Sequence, residues 1–221
     1  MLEVMLFGFV TSSCFFMVVA LRKSNCKQVQ GELAAEELFV FTCPEGYYSP
    51  LATLIFNTEG GTIRQFFRYP ELIGSDVTDK QTSDTIVFTI LIYFFLWYIF
   101  FITTSGVSVP CGIFLPGMLV GCSLGLMYLE FLLQGMNVSI YRAGGQSYLI
   151  IAAAAMLASY THLTYSLAVV MMETTQSINM FLPILITIVF ARGTSQMFNR
   201  GLYDYSLRQK QIPLLNEQMP E

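Results

Sequence analysis

A Gly- and Pro-rich motif set between two apolar runs limits how this chain can fold. Residues 105–117 read Ser-Gly-Val-Ser-Val-Pro-Cys-Gly-Ile-Phe-Leu-Pro-Gly, and uncharged runs at 85–106 and 117–129 flank them. A broken backbone at membrane depth is tolerated only where it is buried in protein or lines a watery cavity. Pro116 fits the first turn of a helix that runs on to about Leu133. The N–H groups that precede it, with no carboxylate nearby, predict an anion site at the start of this helix.

The composition is that of a membrane protein. Of the 221 residues, 54% are hydrophobic and 12% are charged, whereas soluble domains average about 25% charged. Most acidic residues lie in one polar segment, 32–84, and no basic run indicates a nucleic-acid partner. No nucleophile–base set, metal-ligand cluster or phosphate loop is apparent. We therefore expect no enzyme, no catalytic residue and no metal site.

Several apolar segments are short or interrupted. Residues 3–21 and 85–104 are each long enough for one membrane span. The pieces at 51–57 and 63–67 suit half-membrane helices, and 178–191 is too short to cross a bilayer without tilt. This pattern predicts an all-α, polytopic membrane protein with short, tilted and broken helices. Transporters and channels with sites at mid-membrane have such helices.

Two modification sites are possible from the residues alone. Cys26 and Cys43 bracket a polar loop, and they can form a disulfide if that loop is lumenal. Asn137 begins an Asn-Val-Ser glycosylation sequon, a pattern that is also common by chance. Both questions stay open at the level of sequence.

Four segments together resemble the CLC family of chloride channels and chloride–proton exchangers. Residues 112–116, Gly-Ile-Phe-Leu-Pro, look like its GxFxP motif, and 164–173, Thr-Tyr-Ser-Leu-Ala-Val-Val-Met-Met-Glu, resemble its helix P. Gly-Leu-Tyr-Asp at 201–204 resembles the start of its last membrane helix. Residues 44–58 resemble a loop and short helix of eukaryotic intracellular members.

The resemblance implies the second half of the family's inverted-repeat membrane domain. It predicts a CLC-type transmembrane region over residues 1–215, with a polar loop at 24–83, and a flexible tail at 216–221. The family's N-terminal half, with its gating and inner glutamates, and its CBS domains find no counterpart among these motifs. The chain is therefore expected to be a fragment.

The family implies a chloride site at two places in this sequence. The site includes Gly112, Ile113, Phe114 and Leu115, where the backbone N–H groups of Ile113 and Phe114 bind the ion. The hydroxyl of Tyr203 donates to the central chloride; the alternative for this side chain is an interfacial anchor. Neutral donors suit transit, because an ion must leave as well as bind. Chloride is then the transported ligand, and no cofactor is expected.

Three residues depart from the family pattern. Cys111 stands where serine or glycine is commoner, which leaves the backbone donors in place. His162 stands where arginine is frequent, so a charge-based role is not carried over, and we expect a hydrogen-bonded loop residue. Tyr165 is bulkier than the usual residue.

The leading functional hypothesis is chloride transport as part of a chloride–proton exchanger. A voltage-gated chloride channel of the same fold is the close alternative, and the missing glutamates would decide between them. An alternative of another class is a non-transporting half-domain that associates with full-length relatives.

The resemblance also implies partners and a compartment. It predicts a homodimer with contacts in 162–173 and 178–198, contact with membrane lipid, and an endosomal, lysosomal or vacuolar membrane rather than the plasma membrane. It places the 24–83 loop partly on the lumenal side. Arg22 and Lys23 at its start argue instead for the cytoplasm by the positive-inside rule.

Overall fold

The architecture comes from a computed structural model that describes residues 2–21, 26–28, 43–44, 47–76, 80–105, 112–136, 145–175, 178–209 and 211. Within these ranges the elements, in chain order, are α1 (Leu2–Leu21), β1 (Lys27–Gln28), β2 (Tyr47–Tyr48), α2 (Pro50–Phe56), α3 (Glu59–Asp76), α4 (Lys80–Ser105), α5 (Phe114–Met136), α6 (Gly145–Thr161), α7 (Tyr165–Thr175), a 3-10 turn (Ile178–Met180), α8 (Phe181–Phe198) and α9 (Leu202–Gln209). The predicted all-α class is confirmed, since the only strands in the described part are a two-residue antiparallel pair. The predicted tail, 216–221, lies outside these ranges.

Four of the described helices are long and apolar enough to cross a membrane. The candidate spans are Val4–Leu21, Val87–Ser105, Phe114–Leu132 and Ile178–Phe198. The last one corrects the prediction of a short segment at 178–191. The helix continues past Arg192 through Gly-Thr-Ser-Gln-Met-Phe, so a single arginine near its end does not stop it.

The chain divides into two compact units, Met1–Leu149 and Ile150–Glu221. In the first unit, α5 packs against α4 and α3, and α2 packs against α3 and α4. The core is apolar, with fully or almost fully buried side chains on all four helices: Leu51, Ala52, Phe66, Ile90, Tyr93, Leu119, Val120, Leu126 and Leu129. Gly117, Gly121 and Gly125, which the sequence places on one face of α5, are all buried. A face of small residues lets neighbouring backbones approach closely.

The helix α1 contacts the rest of its unit through aromatic rings. The ring of Phe15 lies 5.1 Å from that of Phe100 and 6.1 Å from that of Trp97, both on α4. Val19 is the buried core residue of α1, and most of its other described side chains are at least partly exposed. An apolar helix with this much exposed surface is suited to lipid or to a protein partner.

The region between the first span and α4 contains more helix than the apolar runs predicted. Ser49 caps α2, its Oγ accepting from the Ala52 N–H at 3.4 Å, and Pro50 occupies the first helical position. The predicted short piece at 63–67 belongs to the 18-residue helix α3. Likewise α4 begins at Lys80, so the helix expected at 85–104 starts five residues earlier.

The two cysteines of the polar loop are joined. Cys26 and Cys43 form a disulfide with a Cα–Cα distance of 5.9 Å, inside the range usual for such bridges. The bridge lies beside the strand pair, in which Lys27 faces Tyr48 and Gln28 faces Tyr47. Much of the loop, including 29–42, lies outside the described residues.

The second unit contains the end of α6, α7, α8 and α9. The helices α7 and α8 pack together, and their buried side chains are Leu167, Ala168, Met171, Ile184 and Ile188. The outward side of α8 stays apolar: Leu182 is 65% exposed and Phe190 is 69% exposed. This surface, like that of α1, suits lipid or a protein partner.

Candidate functional site

The first part of the predicted site is the start of α5. Gly112 and Ile113 lead into the helix, which begins at Phe114. Gly117 donates its N–H to the carbonyl of Ile113 at 3.2 Å, which is the first bond of the helical ladder. Pro116 lies in the first turn, as predicted, and has no N–H to leave unpaired.

The backbone donors of that first turn have no carbonyl partner within the helix. An α-helix supplies none for its first N–H groups, and here these include Phe114 and Leu115. Gly112 and Leu115 are exposed, while Ile113 and Phe114 are half-buried. Among the residues that the structure describes, none has an atom within 4 Å of a β-carbon added to Gly112. The described residues therefore leave room for a small anion at this helix end.

A cleft of about 60 Å³ lies beside this helix end. Its lining is uncharged and consists of Trp97, Phe100, Phe101, Thr104, Ser105, Gly112, Ile113 and Pro116. The Thr104 hydroxyl donates to the Phe100 carbonyl and the Ser105 hydroxyl to the Phe101 carbonyl, each at 2.7 Å. About 10–15 Å³ is enough to hold one water, so the cleft has room for a monatomic ion.

The aromatic run at 93–101 has two roles. The sequence indicates a lipid-facing and packing surface there. Tyr93 is fully buried, with its ring 5.4 Å from that of Phe66. Trp97 lines the cleft beside Ile113. As the single tryptophan of the chain, it offers a natural optical probe of this site.

The second part of the predicted site is Tyr203, the second residue of α9. Its side chain is 45% exposed. Gly201 directly precedes the helix, and its carbonyl accepts from the Tyr205 N–H at 3.0 Å. Tyr160, on α6 outside the four candidate spans, lies near Tyr203: burial, and then the Tyr203 phenol, raise the pKa of Tyr160.

The histidine of the α6–α7 turn is hydrogen-bonded, as expected. His162 Nε2 lies 3.2 Å from Ser195 Oγ on α8, and the ring lies against the backbone of Gly201. Sequence reasoning missed Ser195 and Gly201 as its partners. The contacts join positions 33 or more residues apart, and no spacing rule connects them.

Other predicted features lie outside the site or outside the described residues. The two donor sets, at 112–115 and at Tyr203, belong to different units, and their pairing stays a prediction. Asn137 and Cys111 lie outside the described ranges. Tyr165 is 80% exposed, which explains how a bulkier side chain fits there. Within the described ranges no three His, Cys, Asp or Glu side chains are grouped to hold a metal ion.

Comparison with known proteins gives consistent matches over almost the whole chain. It is 32% identical over 193 residues to chloride channel protein A of Dictyostelium discoideum, covering 86% of this chain and 20% of that protein. It is 29% identical over 221 residues to H(+)/Cl(-) exchange transporter 7 of Mus musculus, covering 99% of this chain and 26% of that protein. It is 32% identical over 183 residues to chloride channel protein CLC-b of Arabidopsis thaliana, covering 82% and 21%.

The extent of these matches identifies the family. The chain spans about a quarter or less of the length of these relatives. A sequence model described as voltage gated chloride channel matches residues 1–196. Since that match takes in α1 to α7 and most of α8, the chain belongs to the CLC family of voltage gated chloride channels.

Proposed function

We propose that this chain takes part in chloride transport across a membrane, as part of a CLC-type chloride–proton exchanger. The observation that carries the proposal is the start of α5. There a motif of the family begins a helix beside a small cleft whose described lining residues are all uncharged. A helix start of this kind attracts anions through its N–H groups and its dipole.

In this proposal the ion is held by neutral donors only. The N–H groups of Ile113 and Phe114 donate from the start of α5, and the hydroxyl of Tyr203 donates from α9. Gly112 keeps the approach open because it has no side chain, and Leu115 flanks the helix end. Neutral groups bind chloride weakly enough for it to leave, which conduction requires.

The choice between exchange and channel activity rests on the relatives. The mouse protein named as an H(+)/Cl(-) exchange transporter matches over 99% of this chain, which favours exchange. Relatives named as chloride channels match over 82–86% of it. Proton movement driven by a chloride gradient, measured in liposomes that contain the protein, tests exchange; chloride flux without proton movement would support the channel.

The α5 donor is tested by a matched pair of variants. Phe114→Pro removes the N–H and the ring, and proline is tolerated at the first helical position. Phe114→Ala removes the ring and keeps the N–H. Chloride is titrated into the purified chain at constant ionic strength, and the emission of Trp97 is followed. We expect Phe114→Pro to weaken chloride binding about 10-fold relative to Phe114→Ala, the loss of one charge-assisted hydrogen bond. Equal affinities of the two variants would contradict the assigned donor.

The proposed assembly is a homodimer in an endosomal, lysosomal or vacuolar membrane. A groove of about 370 Å³ between α7 and α8, with Tyr165, Val189 and Arg192 in its lining, lies on the helices assigned to the dimer contact. The Cys26–Cys43 bridge supports a loop facing an oxidising lumen. Mass measurement in mild detergent tests the dimer, and fractionation of the cell of origin tests the compartment.

A non-transporting role is the second candidate. The observation that favours it is the apolar outer surface of α1 and α8, which suits a protein partner as well as lipid: Phe9 is 75% exposed and Phe198 is 83% exposed. In that case the chain assembles with full-length relatives. Co-purification with such a relative, without chloride binding by the chain, would support this role over transport.

A further inference from the structure

The turn after α6 has an unusual backbone. His162 follows the last residue of α6 and has a φ of 58°, in the left-handed region that a residue with a β-carbon rarely adopts. Its N–H still closes the helix, donating to the Ala158 carbonyl at 3.1 Å. Such a conformation is strained and persists where the surroundings hold it. The contacts of the His162 side chain are therefore the feature to explain.

The donor in the hydrogen bond between His162 and Ser195 follows from the number of hydrogens available. The Ser195 hydroxyl donates its single hydrogen to the Ser159 carbonyl on α6. Ser195 Oγ can then only accept from the ring, 3.2 Å away, so His162 Nε2 carries a proton and donates. The chain of bonds ties the α6–α7 turn to the last part of α8.

The near side of the ring lies against the start of α9. A β-carbon built on Gly201 would lie 3.1 Å from His162 Nδ1 and 3.2 Å from its Cγ. Gly201 is buried, and its carbonyl accepts the first bond of α9, from Tyr205. The imidazole thus fills the space between Ser195, near the end of α8, and Gly201, which directly precedes α9.

We propose that His162 is a positioning residue for Tyr203: packed on Gly201 and bonded to Ser195, it fixes the first turn of α9 and so the direction of the Tyr203 hydroxyl. His162 acts through Gly201 and does not itself touch the ion. This inference rests on the proposed function, in which Tyr203 donates to chloride. Tyr203 follows Gly201 by two positions. A shift of the start of α9 therefore moves the Tyr203 hydroxyl.

The test separates the side chain of His162 from its backbone. His162→Gly keeps the left-handed turn and removes the ring. His162→Gln returns a donor near the position of Nε2. Ser195→Ala removes the acceptor and leaves His162 in place, so it serves as a second probe if His162→Gly does not fold. Far-ultraviolet circular dichroism verifies the helix content of each variant.

Two readouts follow Tyr203 in the full chain. The protein is labelled with fluorotyrosine, and the Tyr203 resonance is assigned by its loss in Tyr203→Phe. We expect His162→Gly and Ser195→Ala to shift or broaden this resonance and to weaken chloride binding about three- to ten-fold, the effect of one lost hydrogen bond. His162→Gln should return both readouts toward those of the unmodified chain, because its amide can donate to Ser195. The effect of Ser195→Ala, which leaves the imidazole in place, is one that a residue that only fills space would not show.

Three other results would contradict the positioning role of His162, its link to chloride binding, or the proposed function. An unchanged Tyr203 resonance in both His162→Gly and Ser195→Ala overturns the positioning role. A shifted resonance with unchanged chloride affinity overturns its link to anion binding. An unmodified chain that binds no chloride contradicts the proposed function alone, and the Tyr203 resonance then still decides whether His162 positions this side chain.

Discussion

Two glycines of the second unit differ in the space that is available for an added side chain. A β-carbon at Gly201 would press on the His162 ring at 3.1–3.4 Å, whereas one at Gly193, inside α8, would meet nothing within 4 Å. The ring has little freedom to move, since Ser195 holds its other edge. We expect Gly201→Ala to destabilise the protein by about 1 kcal/mol through overpacking.

The matched control is Gly193→Ala. Glycine inside a helix costs about 0.5–1 kcal/mol relative to alanine, so this change should stabilise the protein by a similar amount. Thermal melts of both variants in one detergent test the pair. A melting temperature of Gly201→Ala at or above that of the unmodified chain would show that the contact with His162 is not rigid.

The disulfide predicts a definite count of reactive thiols. The chain has five cysteines, and the Cys26–Cys43 bridge removes two of them, which leaves three. We expect alkylation of the unfolded, unreduced protein to add three groups, and alkylation after reduction to add five, as counted by mass spectrometry. Protein from an oxidising compartment is the sample to use, because a reducing cytosol keeps thiols free. Five additions without reductant would contradict the bridge and its lumenal placement.

At the scale of elements, the packing of α5 depends on its small face. Gly117, Gly121 and Gly125 are all buried, and α5 packs against α3 and α4. We expect Gly121→Leu to destabilise the fold by about 1–3 kcal/mol, because a large side chain in a close-packed interface forces backbones apart. Leu124→Ala, at a site that is 41% exposed, is the control and should change stability little. Unfolding of both variants in one detergent gives the comparison.

Some elements could be predicted from the sequence and others could not, for identifiable reasons. The start of α5 is readable because Pro116 marks a first turn and the glycine repeat marks a packed face. The full length of α3 cannot be read from apolar runs, because its buried apolar residues are interspersed with exposed ones: in the described part Ile63 and Phe66 are buried, whereas Arg64 is exposed. A search for apolar runs therefore detects only 63–67. Amphipathic periodicity is the sequence signal that indicates the full length of α3.

The candidate site also has one part that the sequence suggests and one part that it does not. The proposed donors at 112–115 belong to a local motif, so a short stretch of sequence is enough to propose them. The setting of Tyr203 depends on His162 and Ser195, which are distant in the chain and meet only in the folded unit. A left-handed φ at a histidine has no marker in the sequence either. Long-range contacts of this kind require the structure.

At the scale of the whole molecule, the chain presents apolar surfaces that remain to be covered. The outer faces of α1 and α8 are exposed and apolar, and four helices are long enough to cross a bilayer. Lipid accounts for part of such a surface, and neighbouring protein can account for the rest. The membrane location follows from composition, helix length and family together.

The final prediction concerns whether the two donor sets serve one ion. If Phe114 and Tyr203 hold the same chloride, their donors lie within about 6 Å of each other, since each hydrogen bond spans about 3 Å. The effects of Phe114→Pro and Tyr203→Phe on the chloride Kd should then be non-additive by about 0.5 kcal/mol or more, as for groups that share a partner. The control is Tyr165→Phe, which removes a hydroxyl from an 80% exposed side chain and should be neutral alone and additive with Phe114→Pro. Effects of Phe114→Pro and Tyr203→Phe that simply add would show that α5 and α9 do not bind one ion together.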